Sequence, residues 1–323
     1  MSPSPERVPV PSRPAVGADG RRVAGRRRGR GKRFLVVGDV LDGVLVETTV
    51  TTVGAHDPAA LIRHQPAGAG GGAASWLGWL GAEVDLVARV GVDDVVRHGR
   101  ALTDAGVRPH LRYDACVPTG ALVSVRSTAG RTSMSDPAAS GDLRADDVGD
   151  DLVSRADIVH LTGAALLGGG PARIAGLVAR ARSGGARVSL DPSSTAVVRA
   201  VGAEDVLSAL TGVDVLFPNA AEARALGGAE DLPEALRRLT EAVPLVVVTT
   251  GADGALVGRR GRAPLRVTAP ATTVVDTTGA GDAFAAGFLR AWATDRVRVA
   301  SAAREGVRVA SLALGVVGAR PPV

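Results

Sequence analysis

The stretch VVDTTGAGDAFAAGFLRA, residues 274–291, sets a run of small residues against a lone acid at the start of an apolar segment. Gly279, Ala280 and Gly281 leave backbone amides uncovered at a helix start, and those donors, with the helix dipole, form a seat for negative charge. Asp282 follows directly. An acid beside such a seat repels the anion held there, so it makes chemical sense if it takes a proton from a nucleophile that attacks the anion. That pairing points to phosphoryl transfer to a hydroxyl. The same four residues also suit a tight turn followed by a first-turn helix acid, and the local pattern leaves both readings open.

The chain around this stretch reads as α/β. Of 323 residues, 46% are hydrophobic but only 2% aromatic, so the core must be Val, Leu and Ala, as in buried parallel strands and packed helices. Apolar runs at 33–39, 84–91, 156–163, 186–192, 213–219 and 244–251 predict strands buried on both faces. Helices are predicted near 72–80, 93–105, 171–183, 202–211, 219–226 and 231–242, with two more at 280–293 and 297–315 closing one face. This alternation predicts βαβ units and a mostly parallel sheet. Segments 43–53 and 119–135 alternate apolar and polar residues instead, which suits a small half-exposed sheet, a lid beside the main one.

Charge is unevenly placed. Residues 1–33 hold ten Lys or Arg and two acids, so the other 290 residues carry a net −3 against +5 overall. The tail over 1–32 is rich in Arg, Pro and Gly without apolar periodicity, which reads as disorder. Its RRRGRGKR run is the one segment suited to a nucleic-acid or polyanion contact, and nucleic acid is not expected elsewhere. The single lysine, Lys32, lies in that tail, so the folded part has no Walker, Schiff-base or protein-kinase lysine. Cys116 is the only cysteine, which excludes a disulfide framework and makes a cytoplasmic location the expectation. No run of 18 apolar residues suggests a membrane span.

With its flanks, DTTGAGDAFAAGF (276–288) closely resembles the signature of the ribokinase-like carbohydrate kinases of the PfkB family, and the resemblance runs in order through residues 33–320. FLVVGDVLDGVLV (34–46) resembles that family's first strand and lid entry, and GGGAASWLGWLGAEVDLVARVGVDD (70–94) its glycine-rich segment, helix and second strand. FPNAAEARAL (217–226) resembles its Asn-x-x-Glu element, VVVTTGADGALV (246–257) its nucleotide loop and GVVGARPP (315–322) its C-terminal loop. The resemblance implies a three-layer α/β/α fold over 33–323, with a mostly parallel central sheet and lid segments at about 42–66 and 110–135. It implies an ATP-dependent kinase for a hydroxyl of a small carbohydrate, with Asp282 as general base and the backbone of Gly279, Ala280 and Gly281 as anion hole. Asn219 and Glu222 would organise Mg²⁺ at the ATP phosphates, although a helix cap with a capping-box acid fits the same spacing. Thr250, Gly251 and Gly254 would line the nucleotide, where a plain turn is the competing reading. Asp276 and Thr278, with the loop 315–318, resemble a monovalent-cation site for K⁺. A homodimer through the lid is a further expectation.

The acceptor side departs from the family pattern. The lid-entry Asp that usually holds substrate hydroxyls falls at Gly43, so Asp42 must shift by one residue to serve, and Asp39 is a second candidate. In the glycine-rich segment, with Gly71 and Gly72 at the substrate, the usual Asn falls at Gly72. Asp191, at the end of the strand 186–192, reads as a polar contact to the acceptor or as an ordinary strand-end acid, with the latter preferred. Fewer hydroxyl-binding groups imply loose selectivity or an unusual acceptor. A nucleoside acceptor is an alternative, but stacking on a base favours aromatic rings and the lid offers only Tyr113. Arg112, Arg126 and Arg131 in or beside the lid could meet an acid or phosphate, with solvated surface arginines as the default. Two other classes stay in view: a binding or regulatory protein with a weakened site, and an oxidoreductase using GAGGGA (68–73), which formally fits G-x-G-x-x-A but follows LIRHQPA, not a convincing strand.

Overall fold

A computed structural model describes residues 31–49, 59–128, 130–296 and 298–321; nearly all of the basic tail and the middle of the first lid segment lie outside them. From β1 (Arg33–Val37) the chain enters β2 (Leu41–Thr48) and β3 (Ala60–Ala67), then α1 (Ala69–Trp79), β4 (Glu83–Gly91), α2 (Val95–Asp104) and β5 (Val107–Asp114). Strands β6 (Thr119–Ser127) and β7 (Gly130–Ala138) follow. The next half alternates: α3 (Asp150–Arg155), β8 (Ile158–Leu161), α4 (Gly163–Leu167), α5 (Gly170–Ser183), β9 (Arg187–Leu190), α6 (Thr195–Val201) and α7 (Ala203–Ala209). Then come β10 (Val215–Leu216), α8 (Ala220–Gly227), α9 (Leu232–Ala242), β11 (Leu245–Thr249), β12 (Ala255–Arg259), β13 (Leu265–Val267), α10 (Ala280–Thr294) and α11 (Val299–Leu314).

Nine strands form the large sheet in the order β13-β12-β11-β10-β9-β8-β1-β4-β5. It is parallel from β5 to β11, and β12 and β13 add an antiparallel edge. Period-2 alternation sends neighbouring side chains to opposite faces. Phe34 and Val36 of β1 therefore pack with Trp76 and Leu77 of α1, Phe288 of α10 and Val309 of α11. Leu35 and Val37 pack on the other side with Leu177 of α5, Val206 of α7 and Leu239 of α9. Helices on both faces of one sheet make the three-layer α/β/α architecture, and the separate four-stranded lid has the order β3-β2-β6-β7. No helix among the described residues is long and apolar enough to cross a membrane.

Three expectations need correction. Residues 107–114, partly assigned to the lid by the 110–135 boundary, form β5, paired in parallel with β4 at the edge of the large sheet. LIRHQPA does lie in a strand, β3, but it pairs antiparallel with β2 in the lid, so GAGGGA does not follow a parallel strand as a dinucleotide fingerprint does. The hairpin β12–β13 was not among the expected strands; β12 is short and buried, and β13 is three residues long and mostly exposed.

The chain leaves β1 toward β4 and β5, then returns to β8 on the other flank of β1. This reversal is a topological switch point, where ligands of open α/β sheets bind beyond the carboxyl ends of the strands. Gly38 and Asp39, Thr162, Asp191, Asn219 and Thr250 all follow strand ends on that side. Beneath this edge, in the core between the sheet and α10, Phe288 is fully buried with its ring centroid 5.2 Å from Phe217. Phe288→Ala should lower stability by about 3–5 kcal/mol, read as a lower urea midpoint at unchanged m-value.

Candidate active site

The turn into α10 is held from several sides. Gly279 adopts the left-handed conformation at φ 75°, and a Cβ there would stand 2.5 Å from the Ala319 backbone, so both its dihedral and its surroundings require glycine. Asp276 is buried; its Oδ1 accepts the Thr278 N–H at 3.0 Å and hydroxyl at 2.8 Å, and its Oδ2 accepts the Gly318 N–H at 3.0 Å. Trp76 Nε1 donates to the Ala319 carbonyl at 3.2 Å. These bonds clamp the loop 315–320 onto the helix start. Helix geometry leaves first-turn amides without intrahelical partners; among the described residues no side chain caps α10, the Ala280 N–H makes only a long 3.4 Å bond to the Thr277 carbonyl, and a Cβ at Gly281 would meet open space. Asp282 lies in that turn with its carboxylate against Gly72, where any Cβ would collide with Oδ2. Burial, then the charges of Asp191, Asp39 and Glu222, hold its pKa well above the ordinary carboxylate range.

Asn219 caps α8: its Oδ1 accepts the Ala221 and Glu222 N–H groups at 2.9 and 3.0 Å. In return Glu222 accepts from the Asn219 N–H at 2.9 Å and from its side-chain amide at 2.5 Å. The capping box is therefore formed. Glu222 is only 1% exposed, and burial pushes its pKa up to about 7 against the lowering effect of Asn219. Asp191 is no isolated strand-end acid: burial and the Glu222 charge hold its pKa well above the ordinary range. Its Oδ1 accepts from Ser193, whose φ of 66° is unusual for a non-glycine residue.

In the turn after β11, the Thr250 N–H donates to the Gly254 carbonyl at 2.9 Å. Gly251 has φ 64° in open space, whereas Gly254, at φ 90°, packs against the backbone of residues 267–269. Beside that contact opens a cleft of about 450 Å³ lined by Val267, Thr268, Pro270, Thr272, Val307 and Arg304, among others.

The residues expected at the acceptor are placed differently from one another. Asp39 accepts the Ala69 and Gly70 N–H groups at 3.0 and 3.2 Å and the Thr162 hydroxyl at 3.0 Å, so it closes the N-terminus of α1. Asp42 is gripped by Arg97 of α2 at 2.7 and 2.8 Å. The β2–β3 register is regular from Leu41 to Thr48, so Asp42 and Gly43 lie on opposite faces and a one-residue shift cannot exchange them. Of the arginines, Arg112 donates to the Asp147 carbonyl, away from the cleft. Arg131 of β7 donates to the Thr277 and Thr278 hydroxyls at 2.7 and 2.9 Å, joining the lid to the turn before α10.

The profile described as "pfkB family carbohydrate kinase" matches residues 33–323. The chain belongs to the PfkB family. It is 33% identical over 298 residues to a 1-phosphofructokinase of Rhodobacter capsulatus, covering 86% of this chain and 90% of that one. It is 34% identical over 250 residues to a 2-dehydro-3-deoxygluconokinase of Thermoproteus tenax, covering 71% and 75%. Among solved structures, an adenosine kinase from Sinorhizobium meliloti superposes with a TM-score of 0.80 at 23% identity, covering 91% and 97% of the two chains. A ribokinase from Thermotoga maritima superposes with a TM-score of 0.74 at 20% identity, covering 88% and 94%. The chain thus has the ribokinase-like fold and is an ATP-dependent kinase of the sugar and nucleoside class.

PfkB kinases use ATP and typically Mg²⁺. Among the described residues no three His, Cys, Asp or Glu stand close enough to hold an ion by themselves. Asp191 and Glu222 are buried and Asp282 half-buried; the Glu222 charge raises the proton affinity of Asp191, and both raise that of Asp282, which suits an ion held jointly with nucleotide phosphates and water. A monovalent cation at Asp276 fits poorly: both oxygens already accept from the protein, and Arg126 Nη2 lies 3.5 Å from Oδ1. The site's less legible members are Asp191, Thr162 and Arg320. A strand-end position was the only signal for the first two, and Arg320 gave none beyond its place in the C-terminal loop.

Two outcomes follow from this geometry. Gly279→Ala should cost about 2 kcal/mol or more from backbone strain and lower kcat by about 100-fold as the α10 amides shift, measured by thermal unfolding and single-turnover assays. Glu222 binds its proton more tightly folded than unfolded, so between about pH 4.5 and pH 7 unfolding releases a proton and stability falls as pH rises. The nucleotide-free protein should lose on the order of 3 kcal/mol across that window through this group, and Glu222→Gln should flatten the slope in pH-dependent urea titrations.

Proposed function

We propose that the chain transfers the γ-phosphoryl group of ATP to a hydroxyl of a small carbohydrate, with Asp282 as the base. The observation that carries this reading is the uncapped N-terminus of α10, with open space at Gly281 and an acid of raised pKa one residue further on. Asp282 takes the hydroxyl proton as the acceptor oxygen bonds to phosphorus and the bond from phosphorus to the ADP oxygen breaks. The amides of Gly279, Ala280 and Gly281 face the negative charge of the moving phosphoryl group, so catalysis is mainly positioning and charge stabilisation. A carboxylate of raised pKa holds the proton well once transferred, and kcat should rise with pH until Asp282 is ionised in the complex.

ATP would lie along the turn at Thr250, Gly251 and Gly254, with its base in the cleft at Val267 and Val307. Asn219 and Glu222 would hold Mg²⁺ through water, and the ion supplies neutralising charge at the phosphates. Arg131 holds the lid against the turn at Thr277 and Thr278, which limits water at the transferring group. A lid-to-lid homodimer would cover the exposed Leu61, Ile62 and Met134.

A sugar is favoured over a nucleoside because the described lid strands carry no Phe, Trp or Tyr. Tyr113 lies on β5 and is 63% exposed. The relatives named 1-phosphofructokinase and 2-dehydro-3-deoxygluconokinase point the same way. ADP release should depend on one sugar-like acceptor, and Asp282→Asn should lower kcat by about 10²–10⁴-fold while ATP still binds. Equal, acceptor-independent background in both proteins would instead favour a nucleotide-binding regulatory protein.

A further inference from the structure

Arg320 has no part in the transfer described above, yet its guanidinium is buried against α1 beside the turn that carries Asp282. Its Nε, Nη1 and Nη2 are buried, and none has a hydrogen-bond partner among the described residues. The group lies over Gly71 of α1: a Cβ at that position would stand 2.7 Å from Nη2, so the missing side chain is what admits it. Asp42 is the carboxylate whose charge reaches Arg320, but its oxygens already accept from Arg97 at 2.7 and 2.8 Å. His98 cannot be a counter-charge, since an imidazole is neutral or positive, and it makes no hydrogen bond to Arg320. Its buried Nε2 also lacks a hydrogen bond, and burial, then the Arg97 charge, brings its pKa down to about 4, leaving it neutral. Burial lowers Arg320 to about 10, so it keeps its charge at neutral pH.

A buried cation without a counter-charge destabilises the fold that holds it. A planar guanidinium with free donors matches the paired oxygens of a carboxylate or phosphate. We propose that Arg320 binds an oxyanion group, phosphate or carboxylate, on the acceptor, so that the acceptor is an acidic sugar and not a neutral one. Gly71 under Arg320 and Gly72 under Asp282 are consecutive residues of α1, which places the two side chains within the span of one small molecule. The hydroxyl-binding acid and amide expected at Gly43 and Gly72 are replaced by glycines, and Arg320 supplies a charged contact on the same wall. The inference rests on the kinase reading only for the second group, the hydroxyl delivered to Asp282.

The test pairs turnover with binding in the absence of ATP. Native protein, Arg320→Met and Arg320→Lys are assayed with neutral hexoses, hexose 1- and 6-phosphates and sugar acids, and each compound is also titrated calorimetrically. The native protein should prefer one acidic class, the phosphates or the carboxylates, which identifies the oxyanion. Arg320→Met should raise acceptor KM by about 10- to 100-fold with ATP KM unchanged, Arg320→Lys should recover part of the loss, and Arg320→Met should melt no lower than native. A neutral sugar turned over with KM unaffected by Arg320→Met overturns the inference while the kinase reading stands, as does a rise in ATP KM alone. Acidic sugars bound through Arg320 without turnover leave the inference standing and sink the kinase reading. No binding of any acidic sugar to the native protein overturns it.

Discussion

The backbone contact between Gly279 and Ala319 is the joint on which the site depends. Gly279 turns the chain into α10 with a left-handed dihedral, and Ala319 packs where a side chain would otherwise be. Asp276 braces the joint from one side through Gly318, and Trp76 from the other through the Ala319 carbonyl. The end of the chain, the first helix and the penultimate helix are thereby referenced to a single point. The open amides of α10, the Asp282 carboxylate and the Arg320 guanidinium all take their positions from it.

Of the helix N-termini that reach this edge of the sheet, those of α1, α8 and α10 are treated differently. Asp39 closes α1 through the Ala69 and Gly70 amides, and Asn219 with Glu222 closes α8. Helix α10 has no side-chain cap among the described residues. An N-terminus already holding its own acid is a poor seat for an external anion, so among these three the available dipole is that of α10. The acids that close or adjoin the other two also raise the proton affinity of Asp282. One set of residues thus directs the anion to α10 and tunes the base beside it.

The large sheet was readable from the chain because strands buried on both faces show as unbroken apolar runs, as in RFLVV and LVVVT. Strand β5 escaped, since VRPHLRYD at a sheet edge is mostly polar. Strand β3 escaped for a similar reason: ALIRHQPA is exposed over most of its length and is held by pairing with β2, not by its own pattern. Asn219 and Glu222 were legible because a capping box has fixed local spacing. The free or engaged state of Asp39 and Asp42 was not, because it turns on Thr162 and Arg97, which are 123 and 55 residues away.

What the sequence by itself determined was the family, the three-layer fold and the turn 276–282, since each is written in local spacing that a short window contains. Only the tertiary structure decided which acids are free. It put Asp42 on the face away from Gly43, grouped Asp191 with Glu222 and Asp282, and laid Arg320 over Gly71. Strand register and the burial of a charge are set by elements far apart in the chain, and no local pattern carries them.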